Sequence, residues 1–182
     1  MAFDITFELQ DSDLDYFREV MRKALAGAEK LEESHILAKA GELAGEVKGN
    51  VPEFVRSRLA KLETLIGMVQ DQEWAIPDME RRDVLGALAY FSDPQDLVPD
   101  HIPVLGFLDD AIMIELVVDE LEGDIEAYEE FCDYRKREAG RRGDETITKA
   151  DWLDDKRREL HSRMRSRRKN RTSSRRKFRS IF

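Results

Sequence analysis

Between Asp93 and Gly106 the chain sets Pro94, Pro99 and Pro103 among Asp93, Asp96 and Asp100, and this punctuation limits the fold more than any other feature. A helix bearing Leu85, Ala87, Leu88 and Phe91 on its apolar side must end near Ser92, because Pro94 lacks an amide hydrogen and restrains the residue before it. Asp93 is then placed to cap a new start. With Pro94 at the first position and Asp96 three residues after the cap, the stretch reads as a one-turn helix whose free amides meet carboxylates. Pro99 and Pro103 stop that turn from growing. Gly106 permits a positive φ or a close backbone approach, and a second helix is expected from about Phe107 to Glu122.

That second helix is apolar over most of its circumference, through Ala111, Ile112, Met113, Ile114, Leu116, Val117, Val118 and Leu121. Glu115, Asp119, Glu122 and Glu126 form one polar stripe, which predicts a central, mostly buried helix. At 100° per residue Asp109 falls over Met113 and Leu116, and Asp110 over Ile114, Val117 and Leu121, so both carboxylates are expected to point inward. An inward carboxylate has to be hydrogen-bonded, paired or protonated. Two readings stand. In one, Asp109 and Asp110 accept backbone amides at the helix start and no cofactor is needed. In the other, Asp96, Asp100, Asp109 and Asp110, joined by His101, form an oxygen-rich site for Mg²⁺ or Ca²⁺ in a divalent-metal-dependent enzyme, although neither EF-hand spacing nor an HExxH helix accompanies them.

The same residues carry a resemblance. Tyr90, Asp93-Pro94, Asp96-Leu97, Pro99-Asp100, Ile102-Pro103, Gly106 and Asp109-Asp110 resemble the signature of the YkvA-like domain, a small bacterial family defined as a domain of unknown function. The match spans about residues 84–118. The resemblance implies a compact helical bacterial module, with membrane association for some members, and no activity or catalytic residue to transfer. Glu115 and Asp119 interrupt the longer apolar helix of other members, which argues against a membrane span here.

Charge divides the chain. Of its 182 residues 30 are Lys or Arg and 39 are Asp or Glu, yet residues 156–182 hold 13 basic residues against Glu159 alone. The remaining 155 residues therefore carry 17 basic against 38 acidic side chains, or −21. Such asymmetry marks an interaction tail on an acidic body. A single cysteine, Cys132, excludes an internal disulfide framework, and its place on an apolar stripe reads as a packed thiol rather than a nucleophile. Met1–Gln10 lacks the basic and apolar regions of a signal peptide, and no run approaches the roughly 20 apolar residues of a spanning helix. Cytoplasm is the expected location, with peripheral contact at the inner membrane as its variant.

Elsewhere the periodicity is helical. Phe3, Ile5, Phe7 and Leu9 alternate with polar residues as in a half-buried strand, expected as an extended arm or as a homodimer contact through residues 3–9. Ser12 or Asp13 opens a helix with Leu14, Phe17, Val20, Met21, Ala24, Leu25, Ala28 and Leu31 inward. Ser34 opens the next, with Ile36, Leu37, Ala40, Leu43, Ala44 and Val47. Asn50-Val51-Pro52-Glu53 has the form of a capping box before Phe54, Val55, Leu59, Leu62, Leu65, Ile66 and Val69. His35 reads as an exposed residue at a helix start. Trp74 reads as a lid on the core, and Asp78 as the cap of the helix that follows. Gly123-Asp124 is expected to separate the central helix from a last body helix bearing Ile125, Tyr128, Phe131 and Cys132 and ending near Glu138. Gly140–Gly143 reads as a hinge.

The expectation is an all-α protein: a compact bundle of about seven helices with a short N-terminal extended arm and a basic C-terminal extension. Residues 1–139 form an acidic helical domain containing the motif at 84–122. Residues 140–182 supply the hinge, an amphipathic helix with Trp152, Leu153, Leu160 and Met164 on a thin apolar line, and an Arg-rich tail expected to be disordered when free. That tail, with Arg163, Arg165, Arg167, Arg168, Lys169, Arg171, Arg175, Arg176, Lys177 and Arg179, predicts an interaction or adaptor protein that binds RNA or another polyanion. An anionic membrane surface met by Phe178, Ile181 and Phe182 is the second partner, and docking of the tail on its own acidic body is the third reading.

Overall fold

The computed structural model describes residues 10–28, 31–46, 53–92, 108–142 and 149–179. Helices α1 (Asp11–Ala28), α2 (Glu33–Glu46), α3 (Glu53–Gln70) and α4 (Asp78–Leu88) are followed by a 3-10 turn, Ala89–Ser92, and by two long helices, α5 (Leu108–Arg142) and α6 (Lys149–Arg179). Among the described residues there is no strand, so the fold is all-α. The stretch 3–9 lies outside them, as does the whole proline segment 93–107 with Asp93, Pro94, Asp96, Pro99, Asp100, His101, Pro103 and Gly106.

The chain divides into two compact units, residues 1–62 with 85–117 and residues 63–84 with 118–182. The division differs from a boundary at residue 139, because it places α6 in one unit with the end of α3, the start of α4 and most of α5.

The first unit is built on small and branched apolar residues at helical spacing. Ile36 and Ala40 of α2, Val55, Leu59 and Leu62 of α3, and Ala111, Met113, Ile114 and Val117 of α5 are buried, together with Ala89 and Tyr90 of the 3-10 turn, which lies against α1 and α2. The turn ends at Ser92, where the following Asp93-Pro94 predicts that the helix stops. Arg58 of α3 meets Glu115 of α5 at 2.6 Å. Two residues expected in the core are outside it: Phe54 and Leu31 are exposed. Phe54 lies next to Glu53 in the first turn of α3, where few neighbouring turns exist to cover it.

The second unit is organised by α5 and α6. Leu65, Met68 and Val69 of α3, Trp74 and Ile76 of the connecting loop, Val84 of α4, Leu121, Ile125, Ala127, Tyr128 and Phe131 of α5, and Leu153, Leu160 and Met164 of α6 are its buried residues.

Two expectations are corrected here. Gly123-Asp124 does not interrupt α5, which runs unbroken for 35 residues through Gly140 to Arg142. A glycine inside a helix costs about 1 kcal/mol relative to alanine, and this one admits a neighbour: a Cβ at Gly123 would sit 3.2 Å from Nη1 and 3.3 Å from Cδ of Arg167. Nor does helical structure end at Met164, since α6 continues to Arg179. Arginine and lysine are good helix formers, and ion pairs to α4 and α5 hold the described part of that segment.

Candidate functional site

The loop between α3 and α4 fixes the floor on which α6 sits. Asp71 Oδ1 accepts the backbone amides of Glu73 at 2.9 Å and Trp74 at 3.1 Å, an Asx-type turn that ends α3. The turn leaves Ala75 at φ 46°, a left-handed conformation that disfavours a Cβ. Arg135 of α5 binds Asp71 through Nη2 to Oδ2 at 2.9 Å and Glu73 at 2.7 Å. Tyr128 donates its hydroxyl to Asp71 at 3.2 Å across Gly67, whose missing side chain leaves the phenol room. Burial alone would raise the Asp71 carboxyl; the Arg135 guanidinium and the loop amides outweigh it and hold the group below its ordinary value. Burial also raises the Tyr128 hydroxyl, with Cys132 and Asp71 adding to the shift.

This turn drives Trp74 into the core. Its ring is fully buried, tilted against Tyr128 and Phe131 at 5.7 and 5.1 Å and edge-on to His161 of α6 at 4.5 Å. His161 is pushed down to about 4, first by burial and then by Arg157 and Arg165 of its own helix, while Glu80 of α4 and the Trp74 backbone oppose the shift. Because the folded value lies below the ordinary 6.5, protonation disfavours the fold. The contribution is present above pH 6.5 and is lost as the pH falls towards 4. Allowing for partial solvent access, it should amount to about 1–2 kcal/mol. Denaturant unfolding of a His161→Gln variant should show a flatter stability profile over that window; a profile parallel to wild type would rule out the contribution.

Helix α6 lies on this floor through the line Leu153, Leu160 and Met164, and charges flank the line. Glu130 of α5 takes both Lys156, at 2.8 Å, and Arg163. These two cations hold the Glu130 carboxyl below its ordinary value, and Glu130 raises Lys156 in turn. Arg167 meets Glu126 at 2.7 Å and is raised by it. Arg168 reaches Asp83 and, at 3.3 Å, Glu80, both on α4. Arg157 donates to the backbone carbonyl of Glu73 at 3.1 Å and pairs with Asp154, as does Arg158.

The pairs Arg163 with Glu130 and Arg167 with Glu126 step by four residues in opposite directions along the two helices. Four residues are about one turn, so this is an antiparallel ladder of like side chains on facing stripes. The sequence repeats arginine at 163, 167, 171, 175 and 179. That spacing was legible, but composition alone reads it as a charged tail rather than as one row of a helix.

Of the expected basic residues, Arg163, Arg167 and Arg168 are thus engaged with the protein's own carboxylates. Arg165 and Lys169 are exposed. Arg171, Arg175, Arg176, Lys177 and Arg179 belong to α6 by backbone. Of the four aspartates read as metal ligands, Asp109 and Asp110 stand in the first turn of α5; Asp109 is 4% exposed and Asp110 is half-buried, while Asp96 and Asp100 lie outside the described residues. Among the described residues no three His, Cys, Asp or Glu side chains gather as a metal site. Cys132 is half-buried beside Arg135, whose Nη2 is 3.7 Å from the thiol. No helix among the described residues is long and apolar enough to cross a membrane.

The family described as a protein of unknown function (DUF1232) matches residues 84–116. That stretch begins at Val84 and ends in the central helix α5, and it agrees with the YkvA-like resemblance of the same residues. No curated protein and no solved structure matches the chain.

Proposed function

We propose that the protein is a helical scaffold, with the DUF1232 stretch at 84–116 in its core, that binds RNA through the distal part of α6. The observation that carries this reading is a continuous helix to Arg179 on which the last acidic residue is Glu159. Beyond it follow ten basic residues in two turns of density, five of them after Lys169. A helix with that composition concentrates positive charge without intervening repulsion from its own acids, and phosphates meet it without base-specific contacts. RNA is favoured over an anionic bilayer because the described end of the helix, Arg165-Ser166-Arg167-Arg168-Lys169, offers no large apolar side chain to enter lipid.

Helix α6 cannot be removed as a whole, since Leu153, Leu160 and Met164 are buried. The appropriate test deletes residues 170–182 and retains the ion pairs of residues 156–168. The full chain should bind a short single-stranded RNA with a log–log salt slope of about −3.5 for five phosphate contacts, an affinity loss of about 100-fold between roughly 50 and 200 mM salt. The truncated chain should keep its helical circular dichroism and lose most of that affinity. Undiminished binding after truncation, or binding to anionic vesicles with none to RNA, would overturn the proposal.

A further inference from the structure

Arg163 and Arg167 belong to the row of arginines assigned to a polyanion, and both are occupied. Their partners Glu130 and Glu126 are carboxylates presented by a neighbouring helix at one-turn spacing. A row of oxyanions about 6 Å apart along a helix axis offers guanidinium groups much of what a phosphate backbone offers, namely localised negative charge and paired acceptor oxygens. Exposure separates the pairs into two kinds. Arg167 and Glu126 are 48% and 53% exposed, and Arg163 and Glu130 are 37% and 36%. Glu80 beneath Arg168 is 3% exposed by side chain. Solvent-accessible pairs of the first kind are weak and exchangeable, whereas a buried carboxylate keeps its cation.

We infer that Glu126 and Glu130 act as an internal phosphate mimic that occupies Arg163 and Arg167, so that RNA gains these two arginines only by displacing the carboxylates. This rests on the RNA reading of α6. Gly123 fits the arrangement, because the bare helix surface there lets the Arg167 stem lie across α5 towards Glu126. Arg165 and Lys169, on other sides of the helix and exposed, give a polyanion its first contact without any exchange. Arg168 stays on Glu80 and Asp83 throughout.

Full-length Glu126→Gln/Glu130→Gln should bind single-stranded RNA about tenfold more tightly than wild type, with a salt slope steeper by about 1.4 for two added phosphate contacts. A control that removes two exposed charges elsewhere in the unit, Asp133→Asn/Asp155→Asn, accounts for the general loss of repulsion and should leave the slope unchanged. Adding Arg163→Gln/Arg167→Gln to the first variant should abolish the gain. Glu126→Gln alone, which leaves Glu130 to Lys156, should give about a threefold gain and serves if the double variant unfolds. If wild type binds RNA and the Glu variants gain no more than the control, the mimic is refuted and the RNA reading stands. If neither wild type nor the Glu variants bind RNA, both fall. Binding by the Glu variants alone supports both.

Discussion

Replacing Trp74 with alanine should lower the unfolding free energy by about 4 kcal/mol, in the range for emptying a large buried aromatic site. The ring is fully buried and touches Tyr128, Phe131 and His161, so its loss empties a space bounded by α5 and α6 together. Collapse into that space is opposed on two sides. The backbone of Trp74 is held by Asp71, which Arg135 and Tyr128 hold in turn. The next residue, Ala75, is committed to a left-handed turn. A cavity that cannot close costs more than the transfer of the side chain alone. Trp74→Phe should cost only about 1–2 kcal/mol: it keeps most of the contact area and removes an indole Nε1 that no acceptor reaches among the described residues, so no hydrogen bond is lost. Chemical denaturation followed by circular dichroism measures both. A Trp74→Ala variant within 1 kcal/mol of wild type would mean that the ring does not fill the core of this unit.

The role of Trp74 as a core lid was legible because a tryptophan beside Ile76 and Pro77, between two amphipathic runs, has little else to do. Its support was not, since Asp71, Tyr128 and Arg135 are separated by more than fifty residues and nothing local marks them as partners. The stripe Glu115, Asp119, Glu122 and Glu126 was read correctly as exposed because helical periodicity fixes direction. The break at Gly123-Asp124 was misread for the complementary reason: glycine signals either a stop or a close approach, and only the partner, Arg167, distinguishes them. The same limit applies to α6. Its composition predicts a solvated tail, and the arginine spacing becomes informative only once Glu126 and Glu130 are found opposite at the matching step. Periodicity within an element is written in the sequence, whereas the pairing of two periodic faces depends on which helices meet.

Arg168 provides the second large effect, and one that separates holding the helix from binding a ligand. Glu80 is 2% exposed, and the Arg168 guanidinium lies 3.3 Å from it while also reaching Asp83. Burial works against the charge on Arg168; Asp83 and Glu80 outweigh it and raise the group above its ordinary value. Arg168→Met keeps much of the aliphatic stem and deletes the cation, leaving a buried carboxylate without this compensation. Breaking a buried pair from one side costs about 3–5 kcal/mol; Arg168 is one-third exposed, which places the expected loss near the lower end, at about 3 kcal/mol. Glu80→Gln removes the stranded charge, so the double variant should recover about 2 kcal/mol of that loss in a double-mutant cycle. A coupling energy near zero would show that the two side chains do not sense each other. The cycle also bears on function. Measured per folded molecule, Arg168→Met should change RNA affinity by less than about twofold, because an arginine that stays on Glu80 contributes no phosphate contact. Arg163→Gln should do the reverse, with little effect on stability because its pair is a solvent-accessible one and with a shallower salt slope. Two arginines five residues apart on one helix would then separate as a strut and a ligand contact, according to the burial of the carboxylate each one meets.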